Sequence, residues 1–334
     1  MTYYLINLHF GSKFEISYLK NKILRSIDYI EISYKDLDAH KINNNLIVIY
    51  SGGVEDNVNK LKNIIKITKV YLLIHLSDET FSHDLFAYKY AHKIIRNYYN
   101  PKLNNQNILT IPIGYKNSLE RKELAEIDIG SRIYSWSFMG TMKNDRYQMI
   151  KKLNIIKPNY QYITESFSSP DHLNAKKFRS ILLNSIFTPC PAGYFNFETF
   201  RILEALENYS IPVFKRRLFF NHLKTIYKDN IFLTSYSWRG VCKKMIFYLE
   251  NPKKLEKYYL ELFTWYENYL SDLSLEVESF IKSEIDEPKI RNIEKIFIFE
   301  ILLFNLSNLT LKFSNLNSKC TYIIKNIIKK SIIN

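Results

Sequence analysis

Three runs in the first 115 residues are apolar almost throughout: Asn45–Tyr50 (NLIVIY), Val70–His75 (VYLLIH) and Ile108–Tyr115 (ILTIPIGY). A strand that buries both faces reads this way, whereas a strand with one wet face alternates. Stretches with helical spacing lie between them. Residues 14–27 carry Phe14, Ile16, Leu19, Ile23 and Leu24 on one side, and a helix is expected from Glu55 to about Ile67. Residues 2–10 read as a strand, 85–93 as a helix and 93–99 as a short strand. Such alternation predicts a mostly parallel sheet covered on both faces.

After a charged segment, KNSLERKELAEIDIGSR at 116–132, the pattern starts again. Strands are expected at 134–139, 159–164, 186–188 and 230–234, with a further buried strand entered through Ser210-Ile211-Pro212-Val213. Helices are expected at 144–153, 172–184 and 238–250, and from Pro252 onward with Tyr258, Tyr259, Leu262, Trp265 and Tyr269 as its apolar side. A chain of 334 residues has room for two cores. The expected division is residues 1–125, residues 131–285 and a helical, basic segment at 286–334, with the boundary near 120–132.

The net charge of +14 suits anionic partners without choosing among them. No basic run is interleaved with aromatics, so nucleic acid is not an expected partner. Cys190, Cys242 and Cys320 form no CxxC pair, which fits a reducing compartment. The seven histidines show no metal-ligand spacing, and there is no P-loop, GxGxxG or GxSxG. The N-terminus lacks a basic region ahead of its apolar residues and reads as a first strand, not a signal peptide. The run at 296–306 is too short to span a bilayer and contains Glu300. Residues 320–333 fit a basic amphipathic helix, either packed back on a domain or lying on an anionic membrane surface.

The richest stretch for chemistry is 185–214. Pro189, Pro191 and Gly193 hold a loop open, and a helix is expected from an N-cap near Asn196 through Leu206. Glu198 and Thr199 fall in its first turn, and Glu198, Arg201 and Glu204 share one side. A helix N-terminus after an open loop favours anions, and a carboxylate further along suits a ribose diol. Ion pairs among these three without a ligand are the structural alternative. Gly140-Thr141 ends the first strand of the second half, where glycine lets a phosphate or sugar approach the backbone. Arg146 could reach the same group or be solvated. Asp78 and Glu79 end an apolar strand at the carboxyl edge where parallel sheets put their sites. They are expected either to take a proton or to cap a helix, with His75, His83 and Asp84 as lesser candidates. Cys190 reads as packing.

The segment ETFRILEALENYSIPVF, Glu198–Phe214, resembles the signature of exostosin-like glycosyltransferases. SDE at 77–79, RNYY at 96–99, IPIGY at 111–115 and FMGTMKNDR at 138–146 stand in the order found in the ribitol-xylosyltransferase type branch. The likeness covers about residues 70–215. It implies an α/β GT-B fold: two Rossmann-like domains with parallel sheets facing across a cleft, the acceptor on the first and a nucleotide sugar on the second. It also implies that no metal is required. Asn208-Tyr209-Ser210 stands where many such chains have a glycine before Pro-Val. The two acids lie six apart, where retaining enzymes often show eight, which favours inversion. A related acid-then-Pro-Val pattern in alpha-fucosyltransferases keeps GDP-fucose as an alternative donor.

The expected activity is transfer from a nucleotide-diphosphate sugar, UDP-linked, to a glycan or polyol-phosphate acceptor of a cell-envelope polysaccharide. Asp78 and Glu79 are the expected catalytic acids. Gly140, Thr141, Arg146, Gly193, Glu198, Thr199, Arg201 and Glu204 are expected to hold the donor, with no further cofactor. The expected place is the cytoplasm, attached to the inner face of the membrane. The rival outside enzymology is a glycan-binding protein of the same shape, against which the presence of Glu198, Arg201 and Glu204 counts.

Overall fold

The computed structural model describes residues 2–9, 15–39, 45–103, 105–116, 118–121, 128–166, 173–193, 196–216 and 223–284. In the first half the chain forms β1 (Tyr3–Leu8), α1 (Ile16–Tyr18, running into a π-helical turn at Leu19–Ile23), β2 (Tyr29–Glu31), β3 (Leu46–Tyr50), α2 (Glu55–Ile67), β4 (Val70–His75), β5 (Ala91–Arg96) and β6 (Ile108–Thr110). These strands make one parallel sheet in the order β2-β1-β3-β4-β5-β6. All of β3 is buried, as its unbroken apolar run requires. Its alternate residues divide between two cores. Ile47 and Ile49 join Leu72 and Ile74 on one face, while Leu46 and Val48 pack with Leu61 and Ile64 of α2 on the other.

Three expectations for this half change. The helix expected at 14–27 is α-helical only over Ile16–Tyr18 and ends as a π-helical turn at Ile23. Residues 85–93 hold only a short 3₁₀ turn, Phe86–Lys89, started by the Asp84 carboxylate on the Phe86 amide at 2.9 Å. From Ala91 the buried, β-paired run takes over. The run ILTIPIGY keeps its strand only to Thr110. Pro112 has no N–H to give the ladder, and the amide of Ile113 is turned to a carboxylate of the second half.

The second half contains β7 (Tyr134–Thr141), α3 (Arg146–Leu153), β8 (Asn159–Thr164), α4 (Ala175–Leu183), β9 (Ser185–Pro189), α5 (Arg201–Glu207), β10 (Ile211–Lys215), α6 (Leu223–Ile226), β11 (Leu233–Ser235), α7 (Trp238–Leu249) and α8 (Pro252–Lys282). Its parallel sheet has the order β11-β10-β9-β7-β8. Asn174, whose side chain accepts from the Lys177 amide at 2.9 Å, starts α4 two residues after the expected His172. The helix expected from Asn196 begins only at Arg201. The Asn196 side-chain oxygen Oδ1 accepts from the Glu198 amide at 3.4 Å, an Asx turn that holds the chain out of the helix. The segment at 286–334, with Cys320 and the basic stretch 320–333, lies outside the described residues, as does part of the expected boundary at 120–132. Among the described residues no helix is long and apolar enough to cross a membrane.

The last helix unites the molecule. With 31 residues α8 is about 46 Å long. Its first turns pack Leu255, Tyr259 and Leu262 into the second half's core, and Tyr266 donates to Glu207 of α5 at 2.6 Å. Glu207, fully buried, also accepts from the Arg121 amide at 2.7 Å and sits 3.5 Å from Lys22 of the first half. Further along, Ser274 meets Arg25 at 3.1 Å. The helix ends on Lys93 of β5, which is 0% exposed and donates to the carbonyls of Phe280 and Ile281 at 2.6 and 2.7 Å and to that of Ser283. These are end-of-helix carbonyls with no intrahelical partner, at the negative end of the helix dipole.

Lys93→Met keeps the length of the side chain but removes this cap, leaving the Ser283 carbonyl without its lysine donor while Tyr71 and the Ser283 hydroxyl remain on the carbonyls of Ile281 and Phe280. A loss of about 1–3 kcal/mol is expected from the urea midpoint. An unchanged midpoint would mean that α8 does not depend on the lysine.

Candidate functional site

The carboxyl ends of β4, β5 and β6 meet those of β7 and β9 around a cavity of about 380 Å³. In the second sheet this is where the strand order reverses, between β7 and β9, the expected position for a ligand in an open parallel sheet. Glu79, Gly140, Thr141, Arg146, Gly193, Glu198, Thr199, Arg201 and Glu204 all line it. Asp78 does not line it.

Gly140 has φ +150°, a conformation that L side chains rarely adopt, and a Cβ there would lie 2.1 Å from Nη2 of Arg201. The absence of a side chain lets the guanidinium lie along β7, where Nη2 donates to the Met139 carbonyl at 2.9 Å and the group sits 5.1 Å from the centre of the Phe138 ring. Arg146 uses the same ring at 5.9 Å, and its Nη1 donates to the Thr141 carbonyl at 2.5 Å. The two cations, Arg146 buried and Arg201 half-buried, therefore share one aromatic ring. Burial and the neighbouring Arg201 hold the Arg146 pKa down at about 10, and burial also lowers that of Arg201, against the pull of Glu204. Nε of both arginines is buried without a partner. A site with spare guanidinium hydrogens and strained cations is one that an anion completes.

The carboxylates are equally incomplete. Glu204, in α5, has a buried Oε1 with no partner. Glu198 lies ahead of the helix rather than in its first turn. Its Oε1 accepts from the Ile113 amide at 3.1 Å and from Tyr227 at 2.7 Å, while Oε2 is buried and unpartnered. Burial raises its pKa to about 7, partly offset by those two hydrogen bonds. The Thr199 hydroxyl is unpartnered too. Lys116, from the loop after β6, brings a cation from the first half, its pKa lowered by burial against the pull of Glu204.

The first half presents Glu79 through a braced loop. Asp78 is 2% exposed. Its Oδ1 accepts from the amides of Ser82 and His83 at 2.9 and 3.1 Å, and its Oδ2 meets Arg96 at 3.3 Å. The adjoining polar chain has one consistent direction. Arg96 can only donate, and gives a hydrogen to Tyr88 Oη at 3.2 Å; the Tyr88 hydroxyl then donates to His75 Nδ1 at 2.8 Å. His75 Nε2 must therefore carry the proton that goes to His83 Nδ1 at 3.0 Å, which accepts from the Gly52 amide as well. Burial lowers the pKa of both histidines, keeping them neutral. His75, Asp78 and His83 have ligand-type atoms within 4.8 Å of one another, but this direction leaves neither histidine a lone pair for a cation. Ser77, Phe81 and Tyr98 all take positive φ here, of 63°, 54° and 61°. Strain of this kind gathers at sites whose geometry is over-determined.

Glu79 completes the wall. Its Oε1 accepts from the Asn196 amide at 3.2 Å, and a Cβ on Gly193 would come within 2.5 Å of the same oxygen. Lining residues assigned no role from the sequence include Tyr98 and Lys143, which lie within the motifs RNYY and FMGTMKNDR, and Lys116, Tyr162 and Phe178, of which Tyr162 and Phe178 lie in none of the motifs. Most sit at or just beyond the carboxyl ends of strands, which is the signal that could have found them. Cys190 is buried, donates to the Thr188 carbonyl at 3.3 Å and has its thiol pKa raised by burial, as a packing residue would.

No family model and no curated protein sequence matches the chain. Solved structures do. An alpha1,3-fucosyltransferase superposes with a TM-score of 0.52 at 15% identity, over 86% of this chain and 93% of that one. A DNA-modifying beta-glucosyltransferase gives 0.48 at 10% identity over 84% and 97%. The T4 phage enzyme of that kind with UDP-glucose gives 0.46 at 12% identity over 84% and 97%. The first likeness shows the fold: the two facing parallel sheets are those of a GT-B protein, as the resemblance implied.

Two outcomes are expected. Gly140→Ala should displace the Arg201 guanidinium and weaken inorganic pyrophosphate binding at least about tenfold by calorimetry; unchanged binding would move the anion site elsewhere. The second concerns pH. The raised pKa of Glu198 means that the folded state holds more protons than the unfolded chain between about 4.5 and 7. Its contribution to stability is therefore lost as pH rises through that window. Glu198→Gln should flatten the decline by on the order of 3 kcal/mol between pH 5 and pH 8. Parallel pH–stability curves would contradict the buried carboxylate.

Proposed function

We propose that the protein is a glycosyltransferase that moves a sugar from a nucleotide-diphosphate sugar to a hydroxyl acceptor. The observation that carries this reading is the Arg146–Arg201 pair on Phe138, with unpartnered Nε–H groups, in the same cavity as the unpartnered carboxylate oxygens of Glu198 and Glu204. A diphosphate supplies the acceptors that the guanidiniums lack, and a ribose or sugar supplies the hydroxyl donors that the carboxylates lack. A cofactor without both features would leave half of the cavity unsatisfied. The GT-B fold agrees with the reading, and the motif at Glu198–Phe214 relates it to exostosin-like enzymes.

Roles follow from chemistry. Arg146 and Arg201 neutralise the charge that grows on the departing diphosphate. Gly140 and Thr141 give the backbone its close approach, Gly193 leaves room for Glu79, and Thr199 offers a hydroxyl to the phosphate. Glu204 takes the ribose diol. Residues 131–285 act as the donor half and 1–125 as the acceptor half. The displacement is inverting and uses no metal, and the acceptor proton leaves to a carboxylate of the wall. Asp78 already holds Arg96 and two amides, which suits it to brace the loop. Glu79 and Glu198 are the wall carboxylates bonded across to the other half. The donor is UDP-linked, and the acceptor is a glycan or polyol phosphate of a cell-envelope polysaccharide, in keeping with the net charge of +14. The lysine-bearing C-terminal segment is the proposed contact with an anionic bilayer at the cytoplasmic face. A GDP-fucose donor is the second reading, favoured by the superposition on a fucosyltransferase.

UDP or GDP should raise the melting temperature, since a ligand that binds only the folded state stabilises it. Glu204→Ala should weaken the preferred nucleotide about tenfold or more. A melting temperature unmoved by UDP, GDP and their sugars at millimolar concentration would sink the donor-site reading.

A further inference from the structure

Glu198 differs from the other carboxylates of the cavity in how its two oxygens are used. One is fixed by two donors from opposite sides, the Ile113 amide of the first half and the Tyr227 hydroxyl of the second. The other is buried and unpartnered, on a residue that lines the cavity. Two hydrogen bonds on Oε1 set the plane of the group, so the lone pairs of Oε2 have a defined direction. Glu79, by contrast, is committed through Oε1 to the Asn196 amide and presses against Gly193, which makes it a clamp on the loop carrying Glu198.

We infer that Glu198 is the catalytic residue that removes the acceptor's proton, and that Glu79 is a positioning residue which holds Gly193 and Asn196 ahead of it. This rests on the glycosyltransferase reading. As the acceptor oxygen forms its bond to the anomeric carbon, the bond from that carbon to the diphosphate oxygen breaks. The O–H proton passes to Oε2 of Glu198, and the electron pair leaves with the nucleoside diphosphate, whose charge Arg146 and Arg201 receive. The groups facing Glu198 are Tyr18, Tyr98, Tyr227 and Tyr269, which burial keeps as neutral phenols, with Glu79, Glu204, Arg201 and Lys116 around the same cavity. Burial raises the Glu198 pKa to about 7, the range in which a base is both ionised and strong enough to act. The Tyr227 hydrogen bond lowers it.

The test is hydrolytic release of nucleoside diphosphate from UDP-glucose and from GDP-fucose, with water as acceptor, between pH 5 and pH 9. The wild-type rate should climb with pH through a midpoint near the Glu198 pKa of about 7. Glu198→Gln should lower kcat about 100-fold or more while UDP and GDP dissociation constants change less than about twofold. Tyr227→Phe should shift the midpoint up by about one pH unit, an effect that a merely structural tyrosine would not produce. Glu79→Gln should lower the rate but leave the midpoint where it is. Wild-type kcat in Glu198→Gln, a parallel loss of nucleotide binding, or an unmoved midpoint in Tyr227→Phe would each overturn the assignment. So would a wild-type protein that binds nucleotide but releases none across the range. Failure of wild type to bind either nucleotide is a separate result, and overturns the donor reading together with this one.

Discussion

Two hydrogen bonds run in opposite senses across the cleft, and the shape of the cavity depends on them. Glu198 of the second half accepts from a backbone amide of the first, and Glu79 of the first half accepts from a backbone amide of the second. Each amide is available because its own strand or helix has been interrupted. Pro112 ends the β6 ladder before Ile113, and the Asx turn at Asn196 delays α5. Local irregularity in each half thus becomes the contact between them. Each is a hydrogen bond from a backbone amide to a wall carboxyl group, and together they tie the two loops across the cleft.

The rest of the site follows from charge confined in a small volume. Two guanidiniums would repel each other in water only weakly, but burial makes their proximity costly. Both lie over the Phe138 ring, whose face is electron-rich, and Glu204 of the helix balances Arg201 while Asp145 and Glu79 balance Arg146. The protein keeps these cations close at a cost to its own stability. That arrangement fits a site whose occupant brings negative charge with it.

Much of this was legible in the sequence. The apolar runs of β3 and β4 and the restart of the pattern at Tyr134 predicted two parallel sheets, because burial on both faces leaves no other reading. Nine of the ten expected site residues line one cavity: Glu79, Gly140, Thr141, Arg146, Gly193, Glu198, Thr199, Arg201 and Glu204. Asp78 was indistinguishable from Glu79 as a strand-end acid. What separates them is Arg96, eighteen residues away, whose ion pair turns Asp78 inward. The early start of the α5 helix was a fair inference from Asn196, whose side chain serves a cap or an Asx turn equally well. The choice was made by Tyr227 and Ile113, partners that no local pattern reveals. Lys116 was missed because its role depends on where the first half meets the second.

The long final helix has a consequence for the order of events at synthesis. Lys93 lies in the middle of the first sheet's β5, yet the carbonyls that satisfy it come from residues 280–283. Until the ribosome has delivered nearly the whole described chain, the sheet face that carries Lys93 lacks α8, and the ammonium has only the Tyr71 hydroxyl and water as partners. The first half is therefore a poor candidate for an autonomous folding unit, although it emerges first and owns a complete sheet. Its assembly waits on the arrival of α8, which makes the two halves one cooperative structure in time as well as in space.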